Sequence, residues 1–435
     1  MTYQEAIDFL FTSLPVFQRV GGSAYKANLD STNRLDAYFG HPHRKFHTIH
    51  VAGTNGKGST SHMLAAILQT AGYRTGLYTS PHLLDFRERI KINGEMIPEQ
   101  DVVDFVDHHH SVIQEIQPSF FEMSVAMALD HFARERVDVA VIEVGMGGRL
   151  DSTNIITPLL SIITNISHDH GQFLGDTLEK IAREKGGIIK ENIPVVIGES
   201  QPETRWIFQR LAEQHHSLIF FADSMYTTGK IREDISGQII VLEDTKNKTS
   251  KEYHLDLSGI YQQNNLKTVL ASIDVLVRQG VLVIPENAVR KGISQASRLT
   301  GLHGRWQVLS ENPLIVADTG HNEAGIRQIM NQIGHTPFNK LYLIFGVVND
   351  KELDKIWPLL PRQAYYIFTQ ARIERALDAC QLGRQAAERG FTGEIISDIS
   401  SAVSKAKELA GENDMIFIGG STFTVAEALP LFPIK

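Results

Sequence analysis

Short apolar runs alternate with helical patterns along the first half of the chain. β-branched runs bounded by turn residues predict strands at residues 49–52, 75–79, 137–144, 159–165 and 195–197. Amphipathic periodicity predicts helices between them, for example at residues 102–116 and 121–134. Because parallel neighbours need a crossover connection, this alternation indicates a mostly parallel sheet.

The pattern changes between residues 217 and 257. The segments LIFFA, QIIVLED and YHLDL are strand-like with no helical pattern between them, which predicts a small antiparallel addition. Helical patterns follow at residues 264–279 and 285–296, and the segment SRLTGLHGR that comes next has no clear period.

The alternation restarts after residue 305. Strands are predicted at residues 314–317, 341–346, 365–369, 394–397 and 415–418. The predicted fold class is therefore α/β, with two domains joined by a linker at residues 297–304. The N-terminal domain spans residues 1–296, and a smaller Rossmann-like α/β domain spans residues 305–435.

Residues 46–60 (FHTIHVAGTNGKGST) combine a predicted strand, a glycine-rich turn with one lysine and the start of a helix. This order is typical of a phosphate loop, where backbone N–H groups face a polyphosphate and Lys57 reaches its terminal phosphates. The loop departs from the common form, because Val51 stands at the first glycine position and Gly58 follows the lysine. A glycine-rich turn for tight packing alone is the alternative. The predicted nucleotide-binding residues are Gly53, Thr54, Asn55, Gly56, Lys57, Gly58, Ser59 and Thr60, which makes the first domain a P-loop ATPase domain.

Polar residues follow two more predicted strands. Glu143 lies at the end of one, and His168, Asp169 and His170 follow the next. A carboxylate at this edge, beside a phosphate loop, suits Mg²⁺, although it could also simply cap its strand. Lys185 falls on the apolar stripe of a helix that Asp176 or Thr177 caps. It is either a snorkelling side chain or a functional lysine with a lowered pKa.

Three further groups carry candidate chemistry. Ser80 follows the predicted strand at residues 75–79 and is a candidate hydroxyl ligand. Residues 87–91 hold the basic side chains of Arg87, Arg89 and Lys91, which form either a carboxylate site or a solvated face. The histidines at 108–110 diverge on a helix, so they are not predicted to bind one metal ion. The C-terminal candidates, placed between a strand and a helix, are Asp318, His321 and Asn322.

Composition and charge limit the classes of molecule that the protein is expected to bind. The chain has 435 residues, a formal net charge of −8 and 42% hydrophobic residues, which is ordinary for a soluble protein and disfavours nucleic-acid and anionic-membrane partners. Its single cysteine, Cys380, cannot form an intrachain disulfide. Neither a signal peptide nor a membrane span is expected, so a cytoplasmic location is predicted.

Five motifs in order resemble the folylpolyglutamate synthase/dihydrofolate synthase family of the Mur ligase superfamily: HVAGTNGKGST, YTSPHLLDFRERI, EVGMGGRLDSTN, DHGQFLGDTLEKIAREK and HGRW. The resemblance implies an ATP-dependent, ADP-forming ligase of folate biosynthesis and one-carbon metabolism. In that family ATP phosphorylates the carboxylate of a pteroate or folate, and the α-amine of L-glutamate attacks the acyl phosphate. The implied partners are these small molecules, and a monomer is expected.

The resemblance also assigns roles to individual residues. The implied catalytic residues are Lys57, Glu143, His170, Lys185 and His321. The implied Mg²⁺ ligands, over two sites and with Lys185 carbamylated, are Ser80, Glu143, His170 and Lys185. Nucleotide contacts outside the loop are implied for Asn265, Arg305 and Asp318. Contacts with the incoming glutamate are implied for Arg89 and Ser421.

The chain departs from the family pattern at Glu323, where proline is usual, and at Phe423, where tyrosine is frequent. Two other functions are open: a Mur-type ligase acting on a cell-wall precursor, and a non-catalytic P-loop nucleotide-binding protein. The sequence does not distinguish dihydrofolate synthesis from glutamate-tail extension, and it does not identify the folate form, the tail length or the pterin contacts.

Overall fold

The structure is a computed structural model that describes residues 1–15, 28–169, 171–234, 237–349 and 351–433. It divides into two compact units. The first comprises Met1–Arg232, Gln238–Asp256 and Gln262–Leu302. The second comprises Glu233–Gly237, Leu257–Tyr261 and the chain from His303 onward. The predicted domain limits at residues 296 and 305 stay a prediction.

A mostly parallel sheet forms the centre of the first unit. Its strands are β1 (His47–Ala52), β2 (Thr75–Tyr78), β3 (Ile90–Ile92), β4 (Glu95–Met96), β5 (Val139–Glu143), β6 (Leu160–Ile163), β7 (Val195–Ile197) and β8 (Ile219–Phe221). They lie in the order β4-β3-β2-β5-β1-β6-β7-β8, with β3 and β4 antiparallel. The carboxyl ends of β1, β2, β5, β6 and β7 therefore meet at one edge, because these strands run parallel.

Helices cover this sheet and supply its crossovers. They are α1 (Tyr3–Ser13), α2 (Asp30–Tyr38), α3 (Lys57–Thr70), α4 (Glu99–Ile116), α5 (Phe120–Arg134), α6 (Gly171–Leu174), α7 (Leu178–Gly186), α8 (Pro202–Gln214), α9 (Ala222–Met225), α10 (Gln262–Gln279), α11 (Glu286–Ile293) and α12 (Ala296–Thr300). Side-chain caps fix where two of them begin: Ser119 accepts a hydrogen bond from Glu122 N, and Thr177 accepts one from Lys180 N. Thr177, not Asp176, is thus the cap of α7.

A second, three-stranded sheet consists of β9 (Tyr226–Asp234), β10 (Gly237–Asp244) and β11 (Thr249–Leu255). Strands β10 and β11 are antiparallel, as predicted. The prediction for LIFFA was wrong: β8 pairs parallel with β7 in the main sheet. Helix α8, which lies between β7 and β8 in the chain, makes that parallel crossover possible. Strand β9 was not predicted, because its alternation is mostly polar.

The second unit has its own sheet. Its strands are β12 (Gln307–Glu311), β13 (Leu314–Ala317), β14 (Leu341–Phe345), β15 (Tyr365–Phe368), β16 (Thr392–Ile395) and β17 (Met415–Gly419). Their order is β12-β13-β17-β14-β15-β16, and only the pairing of β12 with β13 among these is antiparallel. The helices after β11 and α12 are α13 (Glu323–His335), α14 (Leu353–Ile356), α15 (Ala379–Glu388), α16 (Ile399–Leu409) and α17 (Thr422–Ala428). The α/β fold class is confirmed.

Within the described ranges, no helix has both the length and the apolar character needed to cross a bilayer.

Candidate active site

The phosphate loop connects β1 to α3. Gly56 ends the loop with φ of 84°, a left-handed conformation that glycine adopts without strain, and Lys57 is the first residue of the helix. A Cβ atom at Gly56 would overlap Asn265 Oδ1, and one at Gly53 would overlap Thr164 Oγ1. The first N–H groups of a helix have no intrahelical acceptor, so this turn fits a bound polyphosphate.

The end of β6 holds the loop in place. Asn165 accepts hydrogen bonds from two loop amides, through its carbonyl oxygen from Thr54 N at 3.0 Å and through Oδ1 from Asn55 N at 2.9 Å. Thr164 Oγ1 donates to Asn55 O at 2.6 Å. Thr54 Oγ1 donates to Ser167 O at 3.1 Å. The backbone of the loop is therefore fixed from the neighbouring strand.

Two lysines meet at one carbonyl oxygen of this loop. Lys57 Nζ donates to Gly53 O at 3.1 Å and to Thr54 O at 3.2 Å. Lys185 Nζ donates to the same Gly53 O at 2.7 Å. Lys185 is 4% exposed, so its predicted place on the buried face of α7 is confirmed. Burial, together with the charge of Lys57, lowers the pKa of Lys185 to about 7.

Glu143 and Ser80 meet at the same edge of the sheet. Glu143 is the last residue of β5, lies opposite Val51 of β1, and is 4% exposed. Its Oε2 accepts a hydrogen bond from Ser80 N at 3.2 Å. Carboxylate and hydroxyl oxygens are ligands that Mg²⁺ prefers, so this pair fits a divalent metal.

The predicted second metal site is only partly described, since His170 lies outside the described residues. In the described part of the chain, no three His, Cys, Asp or Glu side chains form a group that could hold a metal ion. The amine of Lys185 donates a hydrogen bond to Gly53 O. The second site and the carbamylation of Lys185 stay predictions.

The basic cluster at residues 87–91 is not a solvated face. Arg87 pairs with Asp85 at 2.8 Å. Lys91 is 4% exposed, and its Nζ donates to Thr300 O at 2.7 Å. Arg89 is also 4% exposed, and its Nε donates to His82 Nδ1 at 2.8 Å. Burial lowers the pKa of Arg89 below its ordinary value.

Helix α10 brings an amide to the phosphate loop. Asn265 is 6% exposed, and its Nδ2 donates to Gln262 Oε1 at 2.7 Å. Gln262 Nε2 in turn donates to Ser59 Oγ in α3 at 3.2 Å. The predicted nucleotide contact Asn265 thus lies directly against Gly56, which has no side chain to separate them.

In the second unit, Arg305 and Asp318 belong to one cluster. Asp318 Oδ2 accepts hydrogen bonds from Tyr261 OH at 2.6 Å and from Trp306 N at 2.8 Å. Burial raises the pKa of Asp318 above its ordinary value, while Tyr261 and the charge of Arg305 act in the opposite direction. Arg305 also donates to Thr319 Oγ1. The structure therefore brings these two predicted residues together.

His321 and Ser421 lie at turns of the second unit. His321 Nδ1 lies 3.0 Å from Thr319 O, which can only accept, so Nδ1 carries a proton. Ser421 caps α17: its Oγ accepts a hydrogen bond from Thr424 N at 3.0 Å and contacts Thr424 Oγ1 at 2.9 Å. Its hydroxyl already has these partners.

Three well-connected residues were missed. Glu199 follows β7 and accepts hydrogen bonds from Asn165 Nδ2 at 2.9 Å and Asn264 Nδ2 at 3.2 Å. Asp151 closes the loop after β5 by accepting from Met146 N at 2.9 Å. Tyr261 is the partner of Asp318. Two sequence features could have identified these residues: a carboxylate that follows a predicted strand, for Glu199 and Asp151, and the motif GIYQQNN, for Tyr261.

Family models match both parts of the chain. The Mur ligase middle domain matches residues 51–273, and the Mur ligase, glutamate ligase domain matches residues 304–422. The chain is 31% identical to dihydrofolate synthase/folylpolyglutamate synthase of Bacillus subtilis, over 92% of this chain and 94% of the relative. It is also 31% identical to the Escherichia coli protein of the same name, over 88% and 86%.

Solved structures agree with these relatives. FolC of Escherichia coli in complex with DHPP and ADP superposes with a TM-score of 0.85 at 27% identity, over 99% of this chain and 97% of that one. Folylpolyglutamate synthase from Thermotoga maritima gives 0.82 at 31% identity, over 99% and 96%. A bifunctional folylpolyglutamate synthase/dihydrofolate synthase with Mn, AMPPNP and L-glutamate bound gives 0.83 at 27%, over 99% and 98%. The chain therefore belongs to the dihydrofolate synthase/folylpolyglutamate synthase family of Mur-type ligases.

Proposed function

We propose that this protein joins L-glutamate to the carboxylate of a dihydropteroate or folate, with ATP as the phosphoryl donor. It is an ATP-dependent ligase of the dihydrofolate synthase/folylpolyglutamate synthase type, and ATP and a divalent metal are its cofactors. The observation that supports the proposal is one edge of the sheet, where Lys57 and Lys185 share Gly53 O and Glu143 meets Ser80.

The reaction needs activation because a carboxylate is a poor electrophile. A carboxylate oxygen of the folate-type substrate bonds to the γ-phosphorus of ATP, the bond to the β–γ bridging oxygen breaks, and ADP leaves. The uncharged α-amine of glutamate then attacks the acyl carbon, phosphate leaves with the bonding electrons, and the nitrogen loses a proton. Both substrates are anionic, so positive groups must offset their repulsion.

Residues of the phosphate loop bind and orient ATP in this scheme. The N–H groups at the start of α3 contact the phosphate oxygens, and Lys57 neutralises charge that builds up on the transferred group. Asn265, Arg305 and Asp318 contact the nucleotide. Glu143 and Ser80 would hold Mg²⁺, which would offset the negative charge of the phosphates.

Lys185 is proposed to work as a carbamate. A lysine with a pKa of about 7 has a substantial neutral fraction, and a neutral amine adds CO₂ with loss of one proton to give an anion. The anion would replace a buried cation by an oxygen ligand for a second Mg²⁺, together with Glu143 and His170. The burial of Lys185 next to Lys57 supports this, because an anion relieves the repulsion between two amines.

The incoming glutamate is proposed to contact Arg89 and Ser421. Arg89 is a buried cation suited to a carboxylate. His321, which lies beside Thr319 in the second unit, is proposed as a further catalytic residue on the nucleotide and glutamate side. We further propose that residues 1–296 form the ATP-binding domain and residues 305–435 the glutamate-ligase domain, and that the protein is a cytoplasmic monomer.

An ADP-release assay tests the proposal. Dihydropteroate and tetrahydrofolate are offered separately, each with and without L-glutamate, in the presence of ATP and Mg²⁺. ADP release that needs both a pterin carboxylate and L-glutamate is expected, and the pterin that works identifies the reaction. ATP hydrolysis indifferent to both substrates would favour a nucleotide-binding protein without ligase function, and ligation of a muropeptide precursor would favour the cell-wall alternative.

A further inference from the structure

Arg89 is a buried cation that forms no close ion pair among the described residues, although the charges of Glu143 and Glu88 act on it. Its Nε donates to His82 Nδ1 at 2.8 Å, and no ion pair in the described ranges joins its guanidinium to an acid. The neighbouring cations differ from it. Arg87 is paired with Asp85, and Lys91 is held by the carbonyl oxygen of Thr300. Of these three basic side chains, Arg89 is the one suited to receive a carboxylate from outside the chain.

Aromatic rings pack against both Arg89 and His82. The Arg89 guanidinium carbon lies 5.1 Å from the centre of the Phe120 ring. The His82 ring packs edge-on against Phe11 at 6.1 Å and against Phe86 at 6.3 Å between centroids. Both of these rings also contact Phe120, at 4.7 and 5.7 Å. The histidine therefore has little room to turn, and Nδ1 stays directed at Arg89.

The chemistry of the two side chains fixes the direction of their hydrogen bond. An arginine Nε–H can only donate, so His82 Nδ1 carries no proton and accepts. Binding at Nε occupies one edge of the planar guanidinium. The guanidinium also shares a hydrogen bond with Tyr78. Since arginine has five N–H groups, the terminal nitrogens keep further N–H groups that can bind a carboxylate.

We infer that His82 is a positioning residue that orients the guanidinium of Arg89 toward the carboxylate of the incoming glutamate. The inference rests on the proposed role of Arg89 in binding that substrate. His82 acts through Arg89 and takes no part in phosphoryl transfer. Its loss should therefore weaken glutamate binding and leave the use of ATP unchanged.

Two substitutions test the hydrogen-bond acceptor and the aromatic ring of His82 separately. His82→Phe keeps a ring of similar size but removes the acceptor. His82→Asn loses the ring, but its Oδ1 falls close to the position of Nδ1 and can still accept from Nε. We expect the KM for L-glutamate to rise at least about tenfold in His82→Phe, as for the loss of a hydrogen bond to a charged group, with a smaller rise in His82→Asn. The KM for ATP and kcat at saturating glutamate should stay within about threefold of wild type.

A matched control removes another buried histidine of the same unit. His131 is 3% exposed on α5 and lies 3.2 Å from Asp101. His131→Phe should lower the melting temperature without changing the KM for glutamate. This control separates a loss of stability from a loss of substrate binding, because weaker glutamate binding is expected only in His82→Phe.

A KM for L-glutamate within about twofold of wild type in a folded His82→Phe variant would overturn the inference. If that variant does not fold, His82→Gln replaces it, since its amide reaches the level of Nε2 and leaves Nδ1 without a substitute. A double-mutant cycle with Arg89→Lys gives a second decision: non-additive losses support the coupling, and additive losses contradict it. A wild-type protein whose ADP release ignores glutamate would instead overturn the proposed function.

Discussion

At the scale of single residues, the carbonyl oxygen of Gly53 accepts hydrogen bonds from two lysines. Lys57 reaches it from the first turn of α3, and Lys185 reaches it from α7. The charge of Lys57 contributes to the low pKa of Lys185. Burial and this neighbouring charge together make the amine of Lys185 easier to deprotonate.

We expect Lys57→Ala to lower kcat by at least about 100-fold, because it removes a positive charge from the site where charge develops in phosphoryl transfer. ADP release with saturating substrates measures the loss. Lys180→Ala is the control, since Lys180 is exposed on α7 and pairs only with Asp176 among the contacts described for it. If the turnover of Lys57→Ala stayed within a few-fold of wild type, the proposed role of the phosphate loop in phosphoryl transfer would be wrong.

Lys185→Ala should be inactive, and a small carboxylic acid such as acetate should restore part of its turnover. The acid can occupy the cavity left by the side chain and supply the oxygen ligands of the missing carbamate. Activity of the variant is measured against acetate concentration. Lys57→Ala is the control, because acetate cannot replace its cation. A Lys185→Arg variant with wild-type turnover would contradict the carbamate, since a guanidinium does not become an anion.

At the scale of elements, the ends of the parallel strands build the site together. Glu199, after β7, is hydrogen-bonded to Asn165 after β6 and to Asn264 in α10. Asn165 also holds the amide of Asn55 in the phosphate loop. One carboxylate thus links the loop to the helix that carries Asn265.

We expect Glu199→Ala to raise the KM for ATP by about tenfold with a smaller change in kcat, because two amides lose a charged acceptor and the loop loses a support. Steady-state ADP release at varied ATP measures this effect. Glu203→Ala is the control, since Glu203 is exposed in the first turn of α8. An unchanged KM for ATP in Glu199→Ala would show that Asn165 holds the loop without the carboxylate.

The sequence predicts features that depend on the local spacing of apolar residues. It does not predict contacts between residues that are distant in the chain. Lys185 was placed on the buried face because its helix has a clear stripe. The partners of Glu199 lie 34 and 65 residues away, so no local pattern points to them. The same limit explains β8: its composition identifies a strand, but only the crossover through α8 decides which sheet it joins. The burial of Arg89 depends on Phe120, which belongs to another helix.

At the scale of the whole molecule, a buried histidine makes stability depend on pH. His50, in the middle of β1, is 0% exposed and bonds Thr153 Oγ1 through Nε2 at 2.9 Å. Burial, assisted by the charge of Lys190, lowers the pKa of His50 from 6.5 to about 3. Since the folded pKa lies below the unfolded one, the unfolded chain binds the extra proton between these values, and stability is lost as pH falls below about 6.5.

His50→Gln should reduce this loss. Glutamine keeps an amide donor for Thr153 but does not titrate. Lowering the pH from 7 to 5 should cost the wild type up to about 2 kcal/mol more unfolding free energy than the variant. Urea unfolding at the two pH values, followed by far-UV circular dichroism, measures the difference. If both proteins lost the same unfolding free energy, His50 would not be the cause of the loss of stability at acid pH.

Gly53 and Gly56 of the phosphate loop each lie directly against the side chain of a residue outside the loop. Thr164 Oγ1 fills the space a side chain at Gly53 would need, and Asn265 Oδ1 does the same at Gly56. Both glycines also have a positive φ, 145° at Gly53 and 84° at Gly56, so a side chain at either position would be strained even if the neighbouring side chain were shortened. Randomising the loop should therefore return glycine at both positions, and a selection for altered nucleotide preference has to begin from other residues.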